Sequence, residues 1–183
     1  MEIGYVREGK GQVDDGFLSE VFKTAEHPKM RILGVVVSKI DQQIHGITTG
    51  GSGMMAFVEH WAKAGILGRL LSQLISLDYE LVITSDHGNI HCYGIGKPKV
   101  GVIADERGER AHVFKDDNTR ADVAKDYPTA IIWPQIGLPE TWHVLLASGR
   151  GGFLPTGKQA VCHGGIGMEE VIVPLIKIKR ILS

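Results

Sequence analysis

Three things are scarce in this chain of 183 residues. Cysteine is the first. Cys92 and Cys162 are the only two, and they lie far apart. They build neither a disulfide framework nor a cysteine-rich zinc motif, so the expected setting is reducing and cytoplasmic. Long apolar runs are the second. The longest apolar-rich stretch, Met54 to Leu77, is broken by Glu59, His60, Lys63, Arg69 and Gln73, and is not a membrane span. The opening MEIGYVREGKGQ is polar and glycine-bearing, unlike a signal peptide. Excess charge is the third. With 20 Lys and Arg against 21 Asp and Glu, the net charge is −1, which argues against strong nucleic-acid binding by this segment. The Lys177, Lys179, Arg180 cluster is too small to change that. What is present, 43% hydrophobic and 22% charged residues, is enough for one domain with a real core.

Periodicity gives the elements. Phe17 to Ala25 reads as a short helix with Phe17, Leu18, Val21 and Phe22 on one side. Arg31 to Ile40 shows no alternation and reads as a strand buried on both faces, inside a sheet. Gly50 to Gly53 reads as a flexible connection. One long helix follows from Met54 to Ser76, then a strand from Tyr79 to Thr84. Strand, helix, strand in that order predicts a parallel pair with a right-handed crossover. Glycines punctuate residues 92–118, which predicts loops or a short hairpin. A polar helix is expected over Asn118 to Tyr127, capped by Asn118 or Thr119. Further strands are expected over Ala130 to Trp133, His143 to Ala147 and Val171 to Ile178. The fold class is therefore α/β, with a mostly parallel sheet flanked by helices.

Chemistry gathers at three strand-proximal loops. Ser85-Asp86-His87-Gly88 follows the apolar run Leu81 to Thr84, Asp41 and His45 follow Leu33 to Val37, and Cys162-His163-Gly164-Gly165 precedes Val171. Open α/β sheets place their ligands at such strand ends. Asp and neutral His suit Zn²⁺ or Mn²⁺. Each motif alone has a bland reading: a turn capped by Asp86, an exposed Asp41/His45 pair, a tight glycine connection around His163. Their joint occurrence points to a split dinuclear metal site.

Asp41-x-x-x-His45-Gly46, Thr84-Ser85-Asp86-His87-Gly88, and His163-Gly164-Gly165 ahead of Glu169-Glu170-Val171-Ile172-Val173-Pro174 together resemble the second half of the alkaline phosphatase superfamily. The ending is most similar to PglZ-domain proteins, which are associated with bacterial phage defence. The resemblance covers roughly Arg31 to Lys179. It implies a two-metal phosphohydrolase acting on a phosphate ester or diester, with other phage-defence proteins as partners. Asp41, His45 and His163 match the positions holding one ion, and Asp86 and His87 match two ligands of the other. Family members also have an upstream strand ending in an acidic ligand, followed by a Ser or Thr nucleophile. Nothing before Arg31 reads as such a strand, and Asp14-Asp15-Gly16 follows no apolar run. Residues 1–30 are thus expected to be a polar lead-in with a short helix, and residues 31–183 the C-terminal portion of a partial alkaline phosphatase-like domain, inactive alone. The alternatives are a non-catalytic scaffold or regulatory module of a defence complex, and a phosphomutase or sulfatase relative.

Other signals are weaker. Gly152 to Gln159 nearly matches a phosphate-binding loop, but Gln159 replaces the Mg²⁺-binding hydroxyl and no helix is expected next. Ser52, Thr48 and Thr49 lie near Asp41 and His45, without an activating base nearby. Arg107 and Arg110 are candidate bidentate phosphate donors, with a solvated loop as the plainer reading. His91 and His112 are candidate auxiliary groups, and His60 and His143 read as parts of a helix and a strand.

Overall fold

The computed structural model describes residues 1–9, 15–44, 50–98 and 104–180. In chain order the first elements are β1 (Glu2–Arg7), α1 (Asp15–Ala25), β2 (Met30–Val36), α2 (Lys39–Ile44), α3 (Gly50–Lys63), α4 (Ile66–Ser76) and β3 (Leu81–Thr84). They are followed by β4 (Ile90–Gly94), β5 (Ala104–Arg107), β6 (Ala111–Phe114), α5 (Asp117–Asp126), β7 (Ile131–Ile132), β8 (His143–Leu146), β9 (Gly151–Gly152), β10 (Gln159–Cys162), α6 (Met168–Val171) and β11 (Leu175–Ile178). The chain forms two compact units: residues 1–47, 52–84 and 174–183 make the first, and residues 48–51 and 85–173 the second.

The fold is α/β, but the expectation of one mostly parallel sheet is corrected. The strands form small mixed sheets: β1-β2, β11-β3, β10-β4-β9 and β5-β6-β8-β7. Parallel pairing needs a long crossover, whereas short connections favour antiparallel neighbours. The α1 crossover makes β1 and β2 parallel, and the short link between β5 and β6 makes that pair antiparallel, while β8 returns by way of α5 and β7 to pair antiparallel with both β6 and β7.

In the first unit, α1 buries Phe17, Leu18, Val21 and Ala25, one face at helical spacing. These join Val6, Leu70, Leu74 and Leu81 in one core. Burying each Phe, Leu or Val side chain among them contributes about 1.5–3 kcal/mol relative to exposure. The polar lead-in does contain a strand, β1, in which Val6 alone is buried, and Glu8 just behind it is buried too. Strand β2 is not buried on both faces: Ile32 is half exposed, and among the described residues β2 pairs with β1 alone. The expected parallel partner, β3, instead pairs antiparallel with β11, Leu81 opposite Ile178. Gly50 to Gly53 is helical, not a flexible connection. Among the described residues no helix is long and apolar enough to cross a membrane.

The expected long helix is two helices, broken at Gly65, whose φ of +74° is left-handed. Gly68, three residues on, is exposed inside α4. A Cβ at either position meets nothing within 4 Å. The two substitutions to alanine should therefore have opposite signs. Gly65→Ala should destabilise by about 1–2 kcal/mol, the left-handed penalty of an L-residue. Gly68→Ala should stabilise by up to about 1 kcal/mol through helix propensity. Denaturant unfolding of both variants checks this, and equal signs would contradict the helix break.

In the second unit all four residues of β6 are buried. Ala111 and Val113 face one cluster with Val144 and Leu146. Phe114 faces another with Leu145, Ala147 and Phe153. A strand covered on both faces need not alternate polar and apolar residues, and Ala111–Phe114 carries no such alternation. The β5-β6 hairpin lies where a hairpin was expected. The N-cap of α5 is Asp116, whose carboxylate accepts the Thr119 N–H at 2.8 Å, and not Asn118 or Thr119. Cys92 and Cys162 are free thiols, fully buried on the neighbouring strands β4 and β10.

Candidate metal centre

Asp86 and His87 stand in the link between β3 and β4. Asp86 is exposed and its carboxylate accepts the His87 backbone N–H at 3.2 Å. The half-buried His87 ring places Nδ1 3.0 Å from the Gly88 carbonyl. A carbonyl can only accept, so this hydrogen bond puts a proton on Nδ1 and, in the neutral tautomer, leaves the lone pair on Nε2. A backbone carbonyl on one ring nitrogen is the usual support for a metal-binding imidazole, because it fixes the tautomer and raises the basicity of the other nitrogen.

His163 follows the last residue of β10. Its backbone N–H donates to the Gly108 carbonyl at 3.0 Å, and it forms a β-bridge with Glu109. Its ring stacks on that of His87, with centroids 4.0 Å apart and planes 15° from parallel. A ring nitrogen of each lies within 4.8 Å of one of the other. The stack demands close packing behind it. Gly108 has φ +56°, and a Cβ there would fall 2.3 Å from the His163 carbonyl oxygen and 2.5 Å from its Nδ1. At Gly88 a Cβ would fall 2.1 Å from the Glu169 carbonyl oxygen.

Of the five sequence-predicted ligands, His87 and His163 are thus brought together, and Asp86 Oδ1 lies 3.9 Å from His87 Nε2. Asp41 occupies the first turn of α2 in the first unit. His45, Thr48 and Thr49 lie outside the described residues, and Ser52 is in α3. The donor set of carboxylate and supported imidazole fits a borderline divalent ion.

Arg107 ends β5, and its side chain lies outside the described residues. Arg110 corrects the solvated-loop reading. It is 2% exposed and grips the equally buried Glu170 through Nε–Oε1 and Nη2–Oε2, both 3.1 Å, while Nη1 donates to the Gly151 carbonyl. Burial alone would push the Glu170 carboxyl up, but Arg110 and the amides of Gly165 and Gly167 hold it below the usual carboxylate range. His112 is interior, its ring edge-on to Phe153 at 4.6 Å, while His91 lies on β4. The near-match to a phosphate loop runs from β9 into β10 without a helix.

Two residues escaped the sequence reading. Glu8 Oε2 accepts the Lys39 N–H at 2.9 Å and so holds the start of α2, the helix carrying Asp41. Glu170 is the other. Its signal was legible: Glu at the third position of a helix reaching back to the N-cap amide is half of a capping box, here Gly167 N to Glu170 Oε2 at 2.9 Å.

Comparison with known proteins adds three findings. No curated protein matches the chain. A solved structure of murine ectonucleotide pyrophosphatase/phosphodiesterase 5, an inactive variant in complex with AMP, matches with a TM-score of 0.61 over 89% of this chain at 16% identity. The chain spans about half, 51%, of that structure. Residues 16–178 match the model of the BREX system PglZ alkaline phosphatase-like domain, and the chain belongs to that family.

Proposed function

We propose that this domain carries the metal-binding half of a phosphoesterase acting within a BREX phage-defence system, with a phosphate ester or diester as substrate. The observation that carries the reading is the contact of His87 with His163, two residues from different loops that the motif resemblance would both make ligands. Family order assigns Asp41, His45 and His163 to one divalent ion and Asp86 and His87 to a second, with Zn²⁺ or Mn²⁺ suited to these donors. Such ions, when bound, supply Lewis acidity and charge neutralisation to phosphoryl oxygens. The chain's own residues supply orientation. Gly88 fixes the His87 ring through Nδ1, and Gly108 fixes the backbone of His163. The similar fold belongs to a protein named as a pyrophosphatase/phosphodiesterase, which is the reason to test a diester beside a monoester. Partners are other proteins of the defence system.

The test uses the intact protein that carries this domain. Metal content and hydrolysis of an aryl phosphate and an aryl phosphodiester are measured for wild type and His163→Ala. We expect two ions per wild-type chain and faster turnover of the diester. In His163→Ala we expect about one ion, with kcat/KM reduced by at least roughly 100-fold, the upper end for loss of a mere supporting group. Two bound ions with no hydrolysis of either ester would favour the scaffold reading, monoester turnover alone a mutase-like one. An unchanged His163→Ala would remove the site.

A further inference from the structure

The loops carrying His87 and His163 both end on Glu170. Its carboxylate accepts the N–H of Gly165 at 2.8 Å and of Gly167 at 2.9 Å, which ties down the loop just beyond His163. Its backbone carbonyl accepts the N–H of Gly88 at 2.7 Å, the residue next to His87. Arg110 holds the same carboxylate by two parallel bonds, and Arg110 lies two residues beyond Gly108, whose carbonyl binds the His163 amide. Each Glu170 oxygen thus accepts one guanidinium and one glycine N–H, which uses the four lone-pair sites of a carboxylate. The fork geometry fixes the plane as well as the distance.

We propose that Glu170, oriented by Arg110, is a positioning residue that sets the spacing of His87 and His163, its main chain holding one loop and its side chain the other. Its consequence for metal affinity rests on the metal-site reading above. Its geometry does not. A merely structural buried ion pair can be replaced by apolar side chains of similar volume without loss of stability. A positioning pair cannot be replaced so, because the amides of Gly165 and Gly167 still require an acceptor where Glu170 stands.

That difference gives the test, on the full chain. Three forms are compared: wild type, Arg110→Met/Glu170→Leu, and Arg110→Met/Glu170→Gln, which keeps a neutral acceptor oxygen. The readouts are NMR cross-peaks between the His87 and His163 rings and Zn²⁺ affinity by competition with a chromophoric chelator. The Met/Leu form should keep the wild-type circular dichroism, lose the ring cross-peaks and bind Zn²⁺ roughly 10–100-fold more weakly. The Met/Gln form should recover part of both. Unchanged cross-peaks and affinity in a folded Met/Leu form would overturn the proposal. Should both doubles fail to fold, hydrogen exchange on wild type decides. The Gly165 and Gly167 amides should exchange as slowly as those of β6 and β8, and loop-like exchange would overturn the proposal. Ring cross-peaks in a wild type that binds no Zn²⁺ would remove the metal-site reading while the positioning role stands. Absence of cross-peaks in wild type would remove both.

Discussion

Arg110→Met alone should bring the second unit close to unfolding. The substitution is nearly isosteric, so it opens little cavity, but it leaves the Glu170 carboxylate 2% exposed and without its counter-charge. Breaking one side of a buried pair costs about 3–5 kcal/mol. Whole domains hold only about 5–15 kcal/mol. The single variant should therefore be far less stable than the double replacement that removes both charges, which is the reverse of additive behaviour. The pH dependence sharpens this. Burial alone raises the Glu170 carboxyl, and in wild type Arg110 and the two glycine amides more than reverse it. A carboxyl depressed in the folded state stabilises fully above its unfolded value, about 4.3, and that contribution is lost as pH falls through the folded value. Wild type should thus lose stability on acidification below about pH 4.3. In Arg110→Met burial is less opposed and the carboxyl moves up, so acid relieves the variant and the gap narrows as pH falls. Urea unfolding at pH 7 and near pH 4 measures both. A variant within about 0.5 kcal/mol of wild type at pH 7, the range of ordinary surface substitutions, would show that Arg110 is not the partner Glu170 depends on.

That pair also marks the limit of reading a single sequence. Arg110 and Glu170 are separated by most of the second unit, and no local pattern joins them. Arg110 follows Gly108 and Glu109, which reads as a solvated turn, and only the fold turns its guanidinium inward. What is local was legible. Helix α1 was expected from its apolar stripe, β3 and β8 from short apolar runs, and the hairpin β5-β6 from its glycines. The breaks in that record have physical causes. Gly65 interrupts the apolar stripe by backbone conformation, which periodicity does not register. The run from Ile32 to Val37 looked buried on both faces, yet Ile32 remains half exposed. Composition shows that a strand is apolar, not which neighbours cover it. Sheet order failed for the same reason, since the partner of β3 is the distant β11. The candidate site was read through ligand types and motif order. The stacking of His87 on His163 depends on Gly88, Gly108 and Glu170 together, and spacing alone does not contain it.

The glycines behind those rings carry the second large effect. Gly108→Ala combines two penalties. A left-handed φ of +56° costs an L-residue about 1–2 kcal/mol. The new methyl would also sit 2.3 Å from the His163 carbonyl oxygen and 2.5 Å from Nδ1. A side chain can rotate away, but a backbone oxygen held in a β-bridge cannot, so His163 itself must move. Gly149→Ala separates the two penalties. Gly149 has φ +50° with nothing within 4 Å of its Cβ, so that variant suffers backbone strain alone. Gly88→Ala gives the converse, a clash at 2.1 Å with the Glu169 carbonyl and no left-handed φ. Gly149→Ala should lose about 1–2 kcal/mol of stability and keep wild-type Zn²⁺ affinity. Gly108→Ala and Gly88→Ala should each lose the contact between the His87 and His163 rings and weaken Zn²⁺ at least about tenfold, the smallest loss expected when a ligand's support is disturbed. Thermal unfolding and chelator competition on the three variants decide the matter. Gly108→Ala behaving like Gly149→Ala in both measurements would mean that close packing behind His163 does not hold the ring in place.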